Sequence, residues 1–225
     1  MVVENVRRRL LALGAVATTG LLMAGCSVNV PDPAAPKPSP AGSTLSTPTI
    51  TPGHDAAAVA AKDLPLAAGG TLVPGEPVTY ASRLEEVPGW SVVHAGLQGE
   101  NRYAKADGCV ALARITVNQG PLVVPGDDVA STKALFQYLD AGIDPEKLKA
   151  ATLRWGQDSE KPQRSVELLA LESASTAGGK PASVMARLFS GTASSVYVSI
   201  ACPDATALAK AKADVQAQVV IVPPS

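Results

Sequence analysis

Between residues 27 and 77 the chain carries 10 of its 19 prolines and none of its eight aromatic side chains. Pro31, Pro33, Pro36, Pro38 and Pro40 alternate closely. Proline lacks an amide hydrogen and fixes φ, so neither a helix nor a central strand persists through such a run. The intervening Ser, Thr, Gly and Ala supply little apolar area to offset the cost of ordering the chain. The stretch therefore reads as a disordered, partly polyproline tether over 26–77, leaving 78–225 for a folded domain. Its reach lies between a coil of about 40 Å and an extended limit near 150 Å. Asp55 to Leu64 is alanine-rich enough for a short helix, marginal in isolation.

Ahead of the tether, Arg7, Arg8 and Arg9 precede an apolar run from Leu10 to about Ala24, which meets Gly25-Cys26. A basic start, a short apolar stretch and small residues at its end describe an export signal over 1–25. The run falls short of the roughly 20 residues a helix needs to cross a bilayer. Leu22-Met23-Ala24-Gly25-Cys26 resembles the bacterial lipobox, with Met23 in place of the commoner leucine. The resemblance implies that the Cys26 thiol is alkylated with diacylglycerol and that a peptidase cuts between Gly25 and Cys26. The new amino group is then open to acylation. Each buried methylene contributes roughly 0.8 kcal/mol, so two or three acyl chains hold a protein firmly. The expected location is the extracytoplasmic face of the cell membrane. Arg7-Arg8-Arg9-Leu10-Leu11 also resembles a twin-arginine signal. A plain basic start for the general secretory route fits equally, and both routes stay open.

The charge balance, 19 basic against 20 acidic side chains, is too even for a nucleic-acid binder that works by neutralising phosphates. In the domain, periodicity sets the elements. Gly89-Trp90-Ser91-Val92-Val93 reads as a short strand after a turn. From Cys109 to Val117 the residues Cys109, Ala111, Ala113, Ile115 and Val117 share one face, with Val110, Leu112, Arg114 and Thr116 on the other. Asp127 or Asp128 can cap a helix carrying Val129, Phe136, Leu139 and Ile143, ended by Gly142. Asp144-Pro145-Glu146 looks like a second helix start. Three strands are predicted near 164–172, 182–189 and 195–202, joined at hairpin distance through Gly178-Gly179 and Gly191. After Pro203-Asp204 a last helix places Leu208, Ala211, Val215 and Val219 on one side, and the apolar tail 219–222 can pack or form a strand.

This order predicts an α+β fold, an antiparallel sheet flanked by helices. Gly89-Trp90, the middle helix, the strand meander and the closing helix resemble the PsbP-like fold, also used by actinobacterial lipoproteins of the LpqN/LpqT kind. The resemblance covers element order over about 145 residues and carries no functional residue with it. Independently, Cys109 and Cys202 sit at strand ends in a chain bound for an oxidising compartment, which predicts a disulfide between them. It closes a loop worth roughly 4–5 kcal/mol by chain entropy alone.

The chain contains no Gly-x-Ser-x-Gly elbow, phosphate loop or dinucleotide glycine pattern. His54 and His94, its only histidines, lie at no ligand spacing from a cysteine, so no metal or other cofactor is expected. Glu85-Glu86 reads as a solvated pair and Asp127-Asp128 as a helix start. Trp90, Tyr103, Trp155 and Tyr197 read first as core and second as the lining of a pocket or interface. The function these readings favour is a non-catalytic, lipid-anchored binding module of the cell envelope. Its expected partners are the membrane, through the N-terminal diacylglycerol, and an envelope glycolipid, peptide or protein. Two rivals remain: a hydrolase using acidic residues, and an assembly helper for an envelope complex.

Overall fold

The computed structural model describes residues 56–97, 99–157, 164–173 and 179–224. The export signal, Cys26, the first part of the proline-rich stretch and Gly178 lie outside the described residues.

A single sheet organises the domain. Among the described residues nine strands take part: β1 (Thr79–Ser82), β2 (Trp90–Leu97), β3 (Glu100–Lys105), β4 (Val110–Thr116), β5 (Lys149–Trp155), β6 (Arg164–Ser173), β7 (Ala182–Phe189), β8 (Ser194–Ala201) and β9 (Val219–Val222). Their spatial order is β1-β9-β5-β6-β7-β8-β4-β3-β2. Three helices accompany them: α1 (Ala56–Ala60), α2 (Asp128–Leu139) and α3 (Ala205–Gln218). The fold is α+β as expected, but the sheet is mixed. Strand β9 returns after α3 to lie parallel to β5, with Arg154 opposite Val220 and Trp155 opposite Ile221. The other neighbouring pairs are antiparallel.

The sheet curls into a half-barrel. One bond makes the curl concrete. Strands β1 and β4 are far apart in the sheet order, yet the Tyr80 phenol on β1 donates to the carbonyl of Ala113 on β4 at 2.9 Å. Burial pushes that phenol up to about 12. Helix α3 lies across the inner face and packs Leu208, Ala211 and Val215 against Leu153, Val166, Leu168, Met185, Val196, Val198 and Ile200. Each fully buried Leu, Val, Ile or Met among them contributes roughly 1.5–3 kcal/mol. Trp155 and Phe189 stack within this core, ring centroids 6.3 Å apart. Helix α2 packs Leu135 and Phe136 on the outer face, against Leu169, Ala186 and Leu188.

Most elements start where their local chemistry directs. Asp127 Oδ1 accepts the Ala130 amide at 2.8 Å and opens α2, while Asp204 Oδ1 accepts the Ala207 amide at 2.9 Å and opens α3. Helix α2 ends at Leu139 with Asp140 as its cap, before Gly142 and Ile143. The helix expected at Asp144 is only a single 3-10 turn, Pro145–Lys147. The chain then becomes β5, because Ala151, Leu153 and Trp155 face the inner core at every second position.

The expected tether boundary is corrected. Ordered structure begins well before residue 78, in a strap that crosses the sheet where β6 and β7 diverge. The last β6–β7 pair at that end is Leu169 with Ala186. Leu64 takes the vacated place as a parallel bridge to Val166, its amide donating to Ser165 O at 2.9 Å and its carbonyl accepting from Glu167 N at 3.0 Å. Leu64, Leu66 and Leu72 are buried. Helix α1, the short alanine-rich helix foreseen here, is also docked: the Trp155 indole donates to Val59 O at 3.3 Å.

Candidate functional site

Helix α2 covers only part of the outer face. The rest follows the β4–β8 ladder, whose outward rungs are Val110 with Ala201, Leu112 with Ser199, Arg114 with Tyr197 and Thr116 with Ser195. Over the first two rungs lies an open groove of about 470 Å³, bordered by Val93, Arg102 and Ala182. That volume falls within the roughly 300–1,000 Å³ of small-molecule sites. Val93 reaches the groove because the β2–β3 register shifts between Val92 and His94. It is 65% exposed and Val110 is 48% exposed, which leaves apolar surface facing solvent. The next two rungs floor a smaller recess of about 160 Å³ against α2, lined also by Gln119, Leu135 and Tyr138.

Arg114 stands where groove and recess meet. Its guanidinium lies 5.3 Å from the Tyr197 ring centroid. Its Nε is buried with no hydrogen-bond partner among the described residues. Glu100 faces Arg114 across the β3–β4 ladder, but its carboxylate accepts from Arg102 Nε at 2.6 Å.

Two further polar clusters hold the scaffold. In the first, Arg187, fully buried, fills the gap between β6 and β7. It donates to Asp128 Oδ2 through Nε at 2.8 Å, to Leu64 O and Glu167 O through Nη1 at 2.9 and 3.0 Å, and to Pro65 O through Nη2 at 3.1 Å. The other oxygen of Asp128 accepts from Ser190 N at 2.8 Å and Ser190 Oγ at 2.6 Å. Burial pulls the Arg187 pKa down, against the opposing pull of Asp128. In the second cluster, Asp214 of α3 accepts from Lys105 Nζ at 2.7 Å and from the Trp90 indole at 2.9 Å. Burial of Asp214 pushes its pKa up, but these two donors outweigh it and leave the carboxyl below its ordinary value.

The sequence-predicted residues distribute unevenly. Cys109 and Cys202 are joined by a disulfide with S–S 2.05 Å, both fully buried. It pins the turn before β4 to the end of β8. Trp90, Tyr103 and Trp155 are core residues, whereas Tyr197 is half-buried on the outer face. Burial raises the Tyr103 phenol. His94 is half-buried on β2. Glu85 and Glu86 lie in an exposed 3-10 turn, Glu86 paired with Arg83. Asp127 caps α2, but Asp128 is buried in the ion pair with Arg187, a role sequence reasoning missed. Arg114 was placed on the correct strand face, yet its adjacency to Tyr197 and α2 appears only once β4 pairs with β8.

Among the described residues no group of three or more His, Cys, Asp or Glu converges as a metal site would, and no helix is long and apolar enough to cross a membrane. No protein family, curated protein or solved structure matches the chain.

Proposed function

We propose that this chain is a lipid-anchored binding module on the extracytoplasmic side of a bacterial membrane, acting by holding a ligand rather than by catalysis. The groove over Val110, Leu112, Ser199 and Ala201 carries the reading: an apolar trough of ligand size on a sheet face that α2 leaves open. The adjoining Arg114 gives one end of the trough a cation, so an amphipathic ligand fits it better than a wholly apolar one. The basic start, short apolar run and lipobox-like Leu22 to Cys26 support export over 1–25 and acylation at Cys26. With α1 docked through Val59 and the strap from Asp63 onward, the proposed tether runs from Cys26 to about Asp55. The order of β2, α2, the β6–β8 meander and α3 supports the PsbP-like assignment of the domain.

Two measurements test the proposal. Cys26→Ala should move the protein from the membrane fraction to the medium; retention on membranes refutes the anchor. Native mass spectrometry of the extracted wild-type chain should show a bound amphiphile that is lost in Leu112→Glu, which places a carboxylate on the groove floor. A ligand retained by that variant refutes the groove.

A further inference from the structure

The outer rungs of β4 and β8 change chemistry along one line. Two apolar or small rungs, Val110 with Ala201 and Leu112 with Ser199, are followed by Arg114 with Tyr197 and then Thr116 with Ser195. Same-face rungs are two residues apart, about 7 Å along the strand. A molecule lying in the groove with its long axis along β4 therefore brings its end to the Arg114 guanidinium. We infer that Arg114 is the head-group subsite of the groove, and that the ligand is an anionic amphiphile: one alkyl chain on the Val110–Leu112 floor and a phosphate-type head in the recess beside Tyr197. The inference rests on the reading of the outer face as a binding surface and names the ligand class for it.

Three observations point to an anion. The Nε of Arg114 is buried and has no hydrogen-bond partner among the described residues, whereas most buried donors have one. The carboxylate nearest by register, Glu100, is engaged by Arg102. The recess residues beyond Arg114 are Thr116, Gln119, Leu135, Tyr138, Leu139, Ser195 and Tyr197, which include hydroxyl and amide groups and no carboxylate. A planar guanidinium braced on an aromatic ring presents paired donors, the geometry that phosphate oxygens match.

The test is calorimetric titration of the full chain carrying Cys26→Ser. The probes are dodecyl phosphate below its micelle concentration, neutral dodecyl maltoside, and inorganic phosphate. Dodecyl phosphate should bind at least tenfold more tightly than either of the others, since it alone occupies both groove and recess. Arg114→Gln should remove that advantage while leaving dodecyl maltoside unchanged, and Arg114→Lys should restore part of it. Leu112→Glu should weaken dodecyl phosphate tenfold or more, and the comparison of the two amphiphiles on the wild-type chain carries the head-group test should Arg114→Gln not fold. Equal binding of the two amphiphiles by the wild-type chain, or unchanged dodecyl phosphate affinity in the Arg114→Gln chain, overturns the head-group assignment but leaves the groove; unchanged dodecyl phosphate affinity in the Leu112→Glu chain overturns the groove itself. Absence of binding by both amphiphiles overturns the groove reading as well.

Discussion

Replacing Asp128 with alanine removes a carboxylate that accepts three hydrogen bonds and forms an ion pair in a site with almost no access to water. One donor is Arg187 Nε at 2.8 Å, with Nη2 of the same guanidinium in the ion pair at 2.7 Å, and the other two are the amide and hydroxyl of Ser190. Arg187 keeps its contacts to Leu64, Pro65 and Glu167 carbonyls, so the guanidinium stays buried without its ion-pair partner, offset only in part by the Glu167 carboxylate, which forms no direct ion pair with it. Deleting one partner of a buried pair costs about 3–5 kcal/mol. For a domain of this length each kcal/mol lowers Tm by about 2–4 °C, so the expected drop is roughly 6–20 °C. Urea denaturation and thermal unfolding followed by circular dichroism give the two figures. The double variant Asp128→Leu, Arg187→Met should recover much of the loss, because it removes the stranded charge as well as the pair. Because Arg187 also clasps the strap, Arg187→Met should expose 63–72 to protease before global unfolding. A loss under 1 kcal/mol would refute the argument that this ion pair closes the gap between β6 and β7.

Replacing Cys109 and Cys202 together by alanine should cost up to roughly 4–5 kcal/mol, the chain-entropy ceiling for a loop of 93 residues; guanidinium melts of the variant and of reduced wild type should agree. The depressed carboxyl of Asp214 contributes stability that is complete above its unfolded pKa near 3.9 and is lost as pH falls through the lower folded value. Lys105→Met should flatten that acid limb, measured by urea midpoints between about pH 2 and pH 6. A Cβ on Gly191 would fall 2.0 Å from the carbonyl oxygen of Leu72, so Gly191→Ala must displace the strap and should destabilise the domain by about 1–3 kcal/mol in thermal melts.

Where local pattern and final environment agree, the chain is readable from its residues. The alternation from Cys109 to Ile115 marks β4 and its buried face, since Cys109, Ala111 and Ala113 are all buried. Asp127 and Asp204 announce two helices because capping is a bond within a few residues of sequence. Strands β1, β3 and β5 escape notice because their stretches are short or interrupted by charge. Glu100-Asn101-Arg102-Tyr103-Ala104-Lys105 is a strand only because β2 and β4 supply partners on both sides. The pattern is weakest at the candidate site. Arg114 looks like any charged outward residue until the β4–β8 register sets it against Tyr197.

The residues alone determine the periodicity of β4 and β6–β8, the two capped helices and the pair of cysteines able to bridge. These rest on interactions between near neighbours or on chemistry intrinsic to the side chain. The parallel return of β9, the curl that brings Tyr80 to Ala113, the docking of Leu64 into the gap left by β7 and the uncovered groove are decided only by the tertiary structure. Each depends on which distant segments share a boundary. A strap anchored only by Leu64, Leu66 and Leu72 cannot order itself, but it becomes ordered where a buried arginine offers its donors to the carbonyls of Leu64 and Pro65.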